Sequence, residues 1–298
     1  MKISKKRSLG YILMSLCTAA LTAGGLWLYF TQQTKRSEGP AIQTSQQPND
    51  KKPDEKHSIE KQPDPAKPAP KPKPEVVTIT LPGAAPFAAR IENYHADDSI
   101  WKIVNKQGGF QHPQYRPRDL QVVSVPTKAG RGQDERSVRG VVMADLRRLS
   151  AAAQAAGVDV RVGSGYRSYA TQSVLYNSYV RQHGKAAADR FSARPGTSEH
   201  QSGLVIDFDS EGGRCWVDTC FESLAAGRWL AAHAHEYGFH LRYQKDKEAV
   251  TGFMYEPWHF RYVGVELARA LHQSGLALEE AKPYLDTALA TLRQQGKV

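Results

Sequence analysis

Hydrophobic and polar positions along this chain fall into three regimes. Residues 8–30 hold no charged side chain at all. Residues 31–74 are dominated by Pro, Lys, Gln, Asp and Glu, with KPAPKPKPE as the extreme stretch. From residue 75 onward, short apolar runs alternate with longer amphipathic ones. Within that last part, 76–81 alternates weakly and predicts a strand. Residues 137–157 place Val142, Leu146, Leu149, Ala153 and Ala156 on one helical face and end at Gly157, so they predict a helix. Residues 158–162 alternate as a strand. Ser168 is a suitable N-cap for a helix running to His183 and stopped by Gly184. A short apolar strand spans 204–208, broken only by Asp207. A long helix covers 221–237 and ends at Gly238, strands follow at 239–243 and 255–262, and 265–275 closes as a helix. There is no internal repeat and no regular βαβ rhythm. The expected class is α+β, a small central antiparallel sheet flanked by helices.

The uncharged run is long enough to cross a bilayer as a helix, which needs about 20 residues. Lys2, Lys5, Lys6 and Arg7 precede it, while only Lys35 and Arg36 closely follow, and Trp27, Tyr29 and Phe30 sit at its far end. This charge bias places the N-terminus in the cytoplasm and the body outside, as a single-pass protein of the cell membrane. The alternative is a cleaved signal peptide, but a cut after Ala23 puts Leu21 where a small residue is wanted. Lipid attachment at Cys17 is disfavoured by Leu16. The expected organisation is a cytoplasmic tail 1–7, a transmembrane anchor 8–30, a disordered linker 31–74 and an extracytoplasmic domain 75–298. The linker composition cannot bury enough apolar surface to offset its ordering entropy. Alternating Lys and Pro favours an extended tether, reaching on the order of 100 Å at full extension.

Forty Lys and Arg against thirty Asp and Glu give a net charge of +10. A basic surface favours anionic partners. For an exported body these are anionic lipids or an anionic cell wall, not nucleic acid; plain solubility charge is the other reading. Of the three cysteines, Cys215 and Cys220 could close a small disulfide loop in an oxidising compartment, or remain free thiols. As zinc ligands they would need two further partners, and none lies nearby in sequence.

Three stretches carry candidate chemistry: SGYRS at 164–168 followed by Gln172, SEHQSGLVID at 198–207, and EPWHFRY at 256–262. An Asp inside an apolar strand is costly to bury unless it is paired or metal-bound. His200 sits in the loop before the Asp207 strand and can fold back beside it. His259 lies in an aromatic strand, with Trp258 and Phe260 on the opposite face. Two imidazoles and a carboxylate form a three-ligand zinc set with a fourth position open for water. Asp209 shares the strand face of Asp207 and ranks second as a ligand. On a regular strand Glu256 and His259 would diverge, but Pro257 makes a regular ladder unlikely, and a bend there brings Glu256 to the same centre as general base. Arg167, between a strand and a helix start, offers a fixed positive charge for a carboxylate or a developing oxyanion. His233 and His235, two apart on a predicted helix, face different sides, and His95, His112, His183, His240 and His272 lack partners in the sequence.

The patterns SGYRS…Q, SxHxxGxxxD and EPWHxRY, in this order and spacing, resemble the VanY-type D-alanyl-D-alanine carboxypeptidases. These belong to the zinc peptidase group that also holds lysostaphin-like enzymes and hedgehog domains. The resemblance spans about 100–280 and includes the flanking IWKIVNKQ, RPRDLQVV and YGFHLRY text. It implies one Zn2+ per chain on His200, Asp207 and His259, Glu256 as catalytic base and Arg167 as substrate and transition-state contact. It also implies Ser198, Gln172 and Tyr166 as substrate-binding positions. The expected reaction is hydrolysis of the terminal D-Ala-D-Ala bond of peptidoglycan stem peptides. The alternatives are an L,D-carboxypeptidase acting on tetrapeptide stems, a cross-link endopeptidase, or a non-hydrolytic wall-binding module stabilised by zinc. Val205 stands where the family often has Ala, and the charged 130–136 segment and the Cys215/Cys220 pair look less typical of it.

Overall fold

The computed structural model describes residues 76–90 and 93–296. The expected tail 1–7, anchor 8–30 and linker 31–74 lie outside the described residues. Among the described residues, no helix is long and apolar enough to cross a membrane.

In chain order the strands are β1 (Val76–Ile79), β2 (Phe87–Arg90), β3 (Leu120–Val122), β4 (Ser137–Arg139), β5 (Arg161–Ser164), β6 (Val205–Asp209), β7 (Phe239–Leu241) and β8 (His259–Tyr262). The helices are α1 (Met143–Ala155), α2 (Tyr169–His183), α3 (Lys185–Phe191), α4 (Ala225–His233), α5 (Glu248–Thr251), α6 (Val265–Ser274) and α7 (Leu278–Gln294). Four strands form the central sheet in the order β5-β6-β8-β7, and every neighbouring pair is antiparallel. Strand alternation sorts its residues onto two faces. Ile206, Phe208, Phe260 and Tyr262 pack in one apolar cluster with Val142, Leu146, Leu149 and Ala153, the inward face of the α1 region. Asp207, His259 and Arg261 therefore point to the other face, which is also buried. A second cluster joins Ile79, Leu81 and Phe87 of the β1–β2 hairpin region to Leu267 and Leu271 of α6 and Leu285 and Leu289 of α7.

Helix α2 starts as expected, with Ser168 Oγ accepting the Thr171 N–H at 3.1 Å. The expected strand at 158–162 begins later, at Arg161. Three other expectations need correction. The helix expected at 137–157 begins only at Met143, because Ser137–Arg139 pairs with Leu120–Val122 as a strand and Val138 is fully buried there. The helix expected at 221–237 is split into two 3-10 turns, Thr219–Ser223 and Ala234–Tyr237, flanking α4. Leu224 is extended, which folds the first turn back onto the helix so tightly that a Cβ on Gly227 would lie 2.0 Å from the Phe221 carbonyl oxygen. The strand expected at 255–262 begins only at His259, since the His259 N–H donates to the Glu256 carbonyl at 3.1 Å in a turn around Pro257.

Cys215 and Cys220 are joined in a disulfide. Within this small loop two non-glycine residues, Cys215 (φ 64°) and Val217 (φ 46°), take the left-handed backbone conformation. For a β-branched residue such as Val217 that conformation costs roughly 1–3 kcal/mol and persists only where surrounding structure holds it. The covalent closure is one restraint. A second is Trp216, whose ring lies under the Lys128 Nζ (4.9 Å) and the Arg131 guanidinium (4.7 Å). Replacing both cysteines by Ser is expected to destabilise the domain by about 2 kcal/mol, read as a fall in melting temperature of roughly 4–8 °C. An unchanged melting temperature would show that the loop holds itself without the bond.

Candidate active site

The β6–β8 register sets Asp207 directly opposite His259. Both point to the face away from the apolar cluster, so the pairing itself brings carboxylate and imidazole together. His200 arrives from the 3-10 turn Glu199–Ser202 just before β6. One ligand atom from each of His200, Asp207 and His259 lies within 4.8 Å of the others, and all three residues are buried. His200 Nε2 is 3.2 Å from Asp207 Oδ2, and His259 Nδ1 is 3.1 Å from Asp207 Oδ1. The other nitrogen of His200, Nδ1, donates to the Gly165 carbonyl at 2.6 Å, which fixes its tautomer and leaves Nε2 for the centre. Gly165 is required there, because a Cβ would lie 2.4 Å from the Ser137 carbonyl oxygen.

The electrostatics of this cluster suit a cation. Burial pushes the Asp207 carboxyl up, but the His200 and His259 imidazoles outweigh it and hold it well below the usual carboxylate range. Burial lowers His200 despite the Asp207 charge beside it. At His259, burial is outweighed by the neighbouring carboxylates of Asp207, Glu199 and Glu256, and its pKa stands well above the usual histidine value. Asp207 Oδ1 is buried yet accepts no hydrogen bond of good geometry. Two imidazole nitrogens and a carboxylate oxygen, convergent and buried, form a donor set that fits a tetrahedral divalent ion with one position left for a small molecule. Among the described residues no other group of His, Cys, Asp and Glu converges in this way.

Glu256 reaches the same point through the Pro257 turn, with its Oε2 3.3 Å from His259 Nδ1. Burial raises its carboxyl above the usual value. Arg167 also reaches the cluster: Nη2 is 3.9 Å from Asp207 Oδ2, and Nη1 donates to Gln172 Oε1 at 3.1 Å. Gln172 is anchored in turn by donating to the Ala193 carbonyl at 2.6 Å. These groups, with Ser198, line a cleft of about 340 Å³ whose far wall includes Val217 of the disulfide loop. Seven of the eight expected site residues thus meet at one cleft. Tyr166 does not line it; the ring is buried beneath the Arg116 guanidinium, 4.7 Å from its centroid, because the residue after Gly165 turns into the protein. Asp209 is also elsewhere, since Lys128 Nζ donates to its Oδ2 at 2.6 Å. One residue at the centre was not singled out in the sequence. Glu199, beside His200, is buried and lies 3.7 Å from His259 Nε2. An acidic residue next to a candidate ligand was the available signal.

The family model described as VanY, D-alanyl-D-alanine carboxypeptidase, matches residues 135–265. The chain is 36% identical over 190 residues to the YodJ protein of Bacillus subtilis (strain 168), covering 64% of this chain and 69% of that one. Among solved structures, the LdcB LD-carboxypeptidase superposes with a TM-score of 0.60 at 36% identity, over 63% of this chain and 87% of that one. A vancomycin resistance D,D-pentapeptidase VanY in complex with Zn(II) superposes with a TM-score of 0.51 at 32% identity, over 61% of this chain and 97% of that one. With the matched segment containing Arg167, His200, Asp207 of β6 and the Glu256–His259 turn, the chain belongs to the VanY family of D-alanyl-D-alanine carboxypeptidases and is a metallocarboxypeptidase.

Proposed function

We propose that this chain is a zinc-dependent D,D-carboxypeptidase that removes the terminal D-alanine from peptidoglycan stem peptides. The observation that carries the reading is the meeting of His200, Asp207, His259 and Glu256 at one buried point, with Arg167 facing them. His200 Nε2, an Asp207 oxygen and His259 Nδ1 would hold one zinc ion per chain. When bound there, zinc supplies Lewis-acid polarisation of a carbonyl and acidifies a water. Glu256 takes the proton of the attacking water and passes it to the departing amine, a task suited by a carboxyl whose pKa burial raises above the ordinary carboxylate value. Arg167 places fixed positive charge where the carbonyl oxygen becomes negative, and Gln172 keeps its guanidinium in that orientation. Ser198 lines the same cleft as a substrate contact. A wall-binding module would have no use for a base beside the metal, which favours catalysis.

A second reading, L,D-carboxypeptidase activity on tetrapeptide stems, is favoured by the higher overlap with LdcB than with VanY. Both activities release free D-alanine from different stems, so one assay separates them. The purified chain is incubated with muramyl pentapeptide or tetrapeptide, and D-alanine is measured before and after chelation. Release from pentapeptide, abolished by chelator and restored by zinc, is expected; release from tetrapeptide alone would transfer the assignment to the L,D class. Release unaffected by chelation would end the metal mechanism.

The proposed setting is outside the cytoplasm, on a single-pass anchor at 8–30 with a tether at 31–74. The Cys215–Cys220 disulfide supports an oxidising compartment. Recovery of the intact chain in the alkali-resistant membrane fraction is the expected result; a soluble, shortened chain would indicate a cleaved signal instead.

A further inference from the structure

Glu199 has a side chain with no exposed surface. Its Oε1 accepts from Arg242 Nε at 2.8 Å and from Arg261 Nη1 at 2.9 Å, and both guanidiniums are also fully buried. Each arginine is fastened at its other end. Arg242 Nη1 and Nη2 donate to both carboxylate oxygens of Glu279 on α7, at 2.7 and 2.5 Å. Arg261 Nη2 donates to the carbonyls of Ile100 and Lys102, at 3.1 and 2.9 Å. The clamped carboxylate therefore cannot swing. Its other oxygen, Oε2, has no hydrogen-bond partner, and neither has His259 Nε2, although the two face each other at 3.7 Å. Two buried polar atoms left without partners and pointed at one another form a hydrogen bond after a shift of a few tenths of an ångström, and leaving both unpaired is costly.

We propose that Glu199 is the positioning residue for His259: its Oε2 accepts the hydrogen bond of Nε2–H, so that Nδ1 is the unprotonated nitrogen presented to the metal. The assignment rests on the metal-site reading above and extends it. A neutral imidazole carries one proton, and the hydrogen bond made by the outer nitrogen decides which nitrogen keeps a lone pair for a metal. His200 and His259 then act as opposite tautomers. His200 is protonated at Nδ1, held by the Gly165 carbonyl, and binds through Nε2. His259 is protonated at Nε2, held by Glu199, and binds through Nδ1. A glutamine at 199 would reverse the second arrangement. Its carbonyl oxygen would be claimed by the two guanidiniums, and its amide N–H would face His259 Nε2, which could accept that bond only by moving its proton to Nδ1.

The test uses the full-length chain. Zinc affinity is measured by competition with a chromophoric chelator for wild type, Glu199→Gln and Glu279→Gln, alongside the absorption spectrum of each cobalt-loaded form and the melting temperature of each metal-free form. Glu279→Gln removes the other carboxylate held by Arg242 without touching His259, so it reports general damage to the network. Glu199→Gln is expected to lose about 10–100-fold in zinc affinity and to change the cobalt spectrum, while Glu279→Gln stays near wild type in both. Zinc affinity of Glu199→Gln within twofold of wild type overturns the assignment, as do equal losses in both variants. Should Glu199→Gln fail to fold, imidazole 15N spectra of the zinc-loaded wild type decide directly. An Nε2–H tautomer is expected at His259, and an Nδ1–H tautomer there overturns the proposal. A wild-type chain that binds no zinc removes the metal site and this assignment together, an outcome distinct from zinc bound with the wrong tautomer.

Discussion

Glu256→Gln is expected to leave the metal in place and to reduce the rate of D-alanine release by about 10²–10⁴-fold, the usual loss on removing a general base. That corresponds to roughly 3–5 kcal/mol of transition-state stabilisation. Glu256 is not one of the three convergent ligand atoms, so zinc content should remain at the wild-type level. Its carboxyl must be ionised to accept a proton. Burial, the largest influence on it, raises its pKa above the ordinary value of 4.5, with Asp207 pushing the same way and His259 and Arg167 opposing. Activity therefore rises with pH through that raised value and is lost on the acid side of it. The acid limb of kcat should sit above 4.5 in the wild type and disappear from the residual activity of Glu256→Gln. Full activity in the variant, or an unchanged acid limb, would assign the proton transfer to another group.

The sequence made the site more legible than the fold around it. Asp207 stood out because a lone carboxylate in an apolar strand demands an explanation, and His259 because its neighbours Trp258 and Phe260 fixed which face it takes. The antiparallel register that sets the two side by side is a tertiary fact, yet alternation alone put each on the correct face. The Pro257 bend that carries Glu256 was also readable, since proline cannot serve a central ladder. Where periodicity misled, tertiary contacts had overridden it. Ser137–Arg139 follows on smoothly from a helical pattern, but pairing with β3 claims its backbone first. Helix α7 was missed although Leu278, Ala281, Leu285, Ala288, Leu289 and Leu292 line one buried stripe, with Pro283 interrupting an otherwise helical run. Tyr166 was assigned to the cleft with Arg167 by resemblance, but adjacent residues leaving a strand point to different sides, and only Arg167 faces the metal cluster. Glu199 escaped notice for a different reason. Its partners Arg242 and Arg261 lie 43 and 62 residues away, and its place beside His200, the one local signal, does not by itself tell a buried, doubly clamped carboxylate from a solvated one.

That same network carries the largest expected effect on stability. Arg261→Met should destabilise the domain by about 3–5 kcal/mol, the cost of breaking a buried ion pair from one side. The substitution keeps an unbranched side chain of similar length, so little volume is lost. What is lost is pairing: Glu199 Oε1 keeps only Arg242, and the Ile100 and Lys102 carbonyls lose the Nη2 donor they share. The magnitude reflects the charge and acceptors left behind in a fully buried site, and says little about what the intact triad contributes over an apolar one. Arg161 provides the contrast. Its guanidinium also pairs with a carboxylate, Asp159 at 2.9 Å, but the two side chains are 30% and 39% exposed. Water there takes over both partners, and Arg161→Ala should cost no more than about 1 kcal/mol. Urea unfolding of the two variants against wild type measures both values on one scale. If Arg261→Met costs no more than Arg161→Ala, the buried guanidinium is not holding the Glu199 carboxylate against β8, and the clamp must be supplied by Arg242 alone.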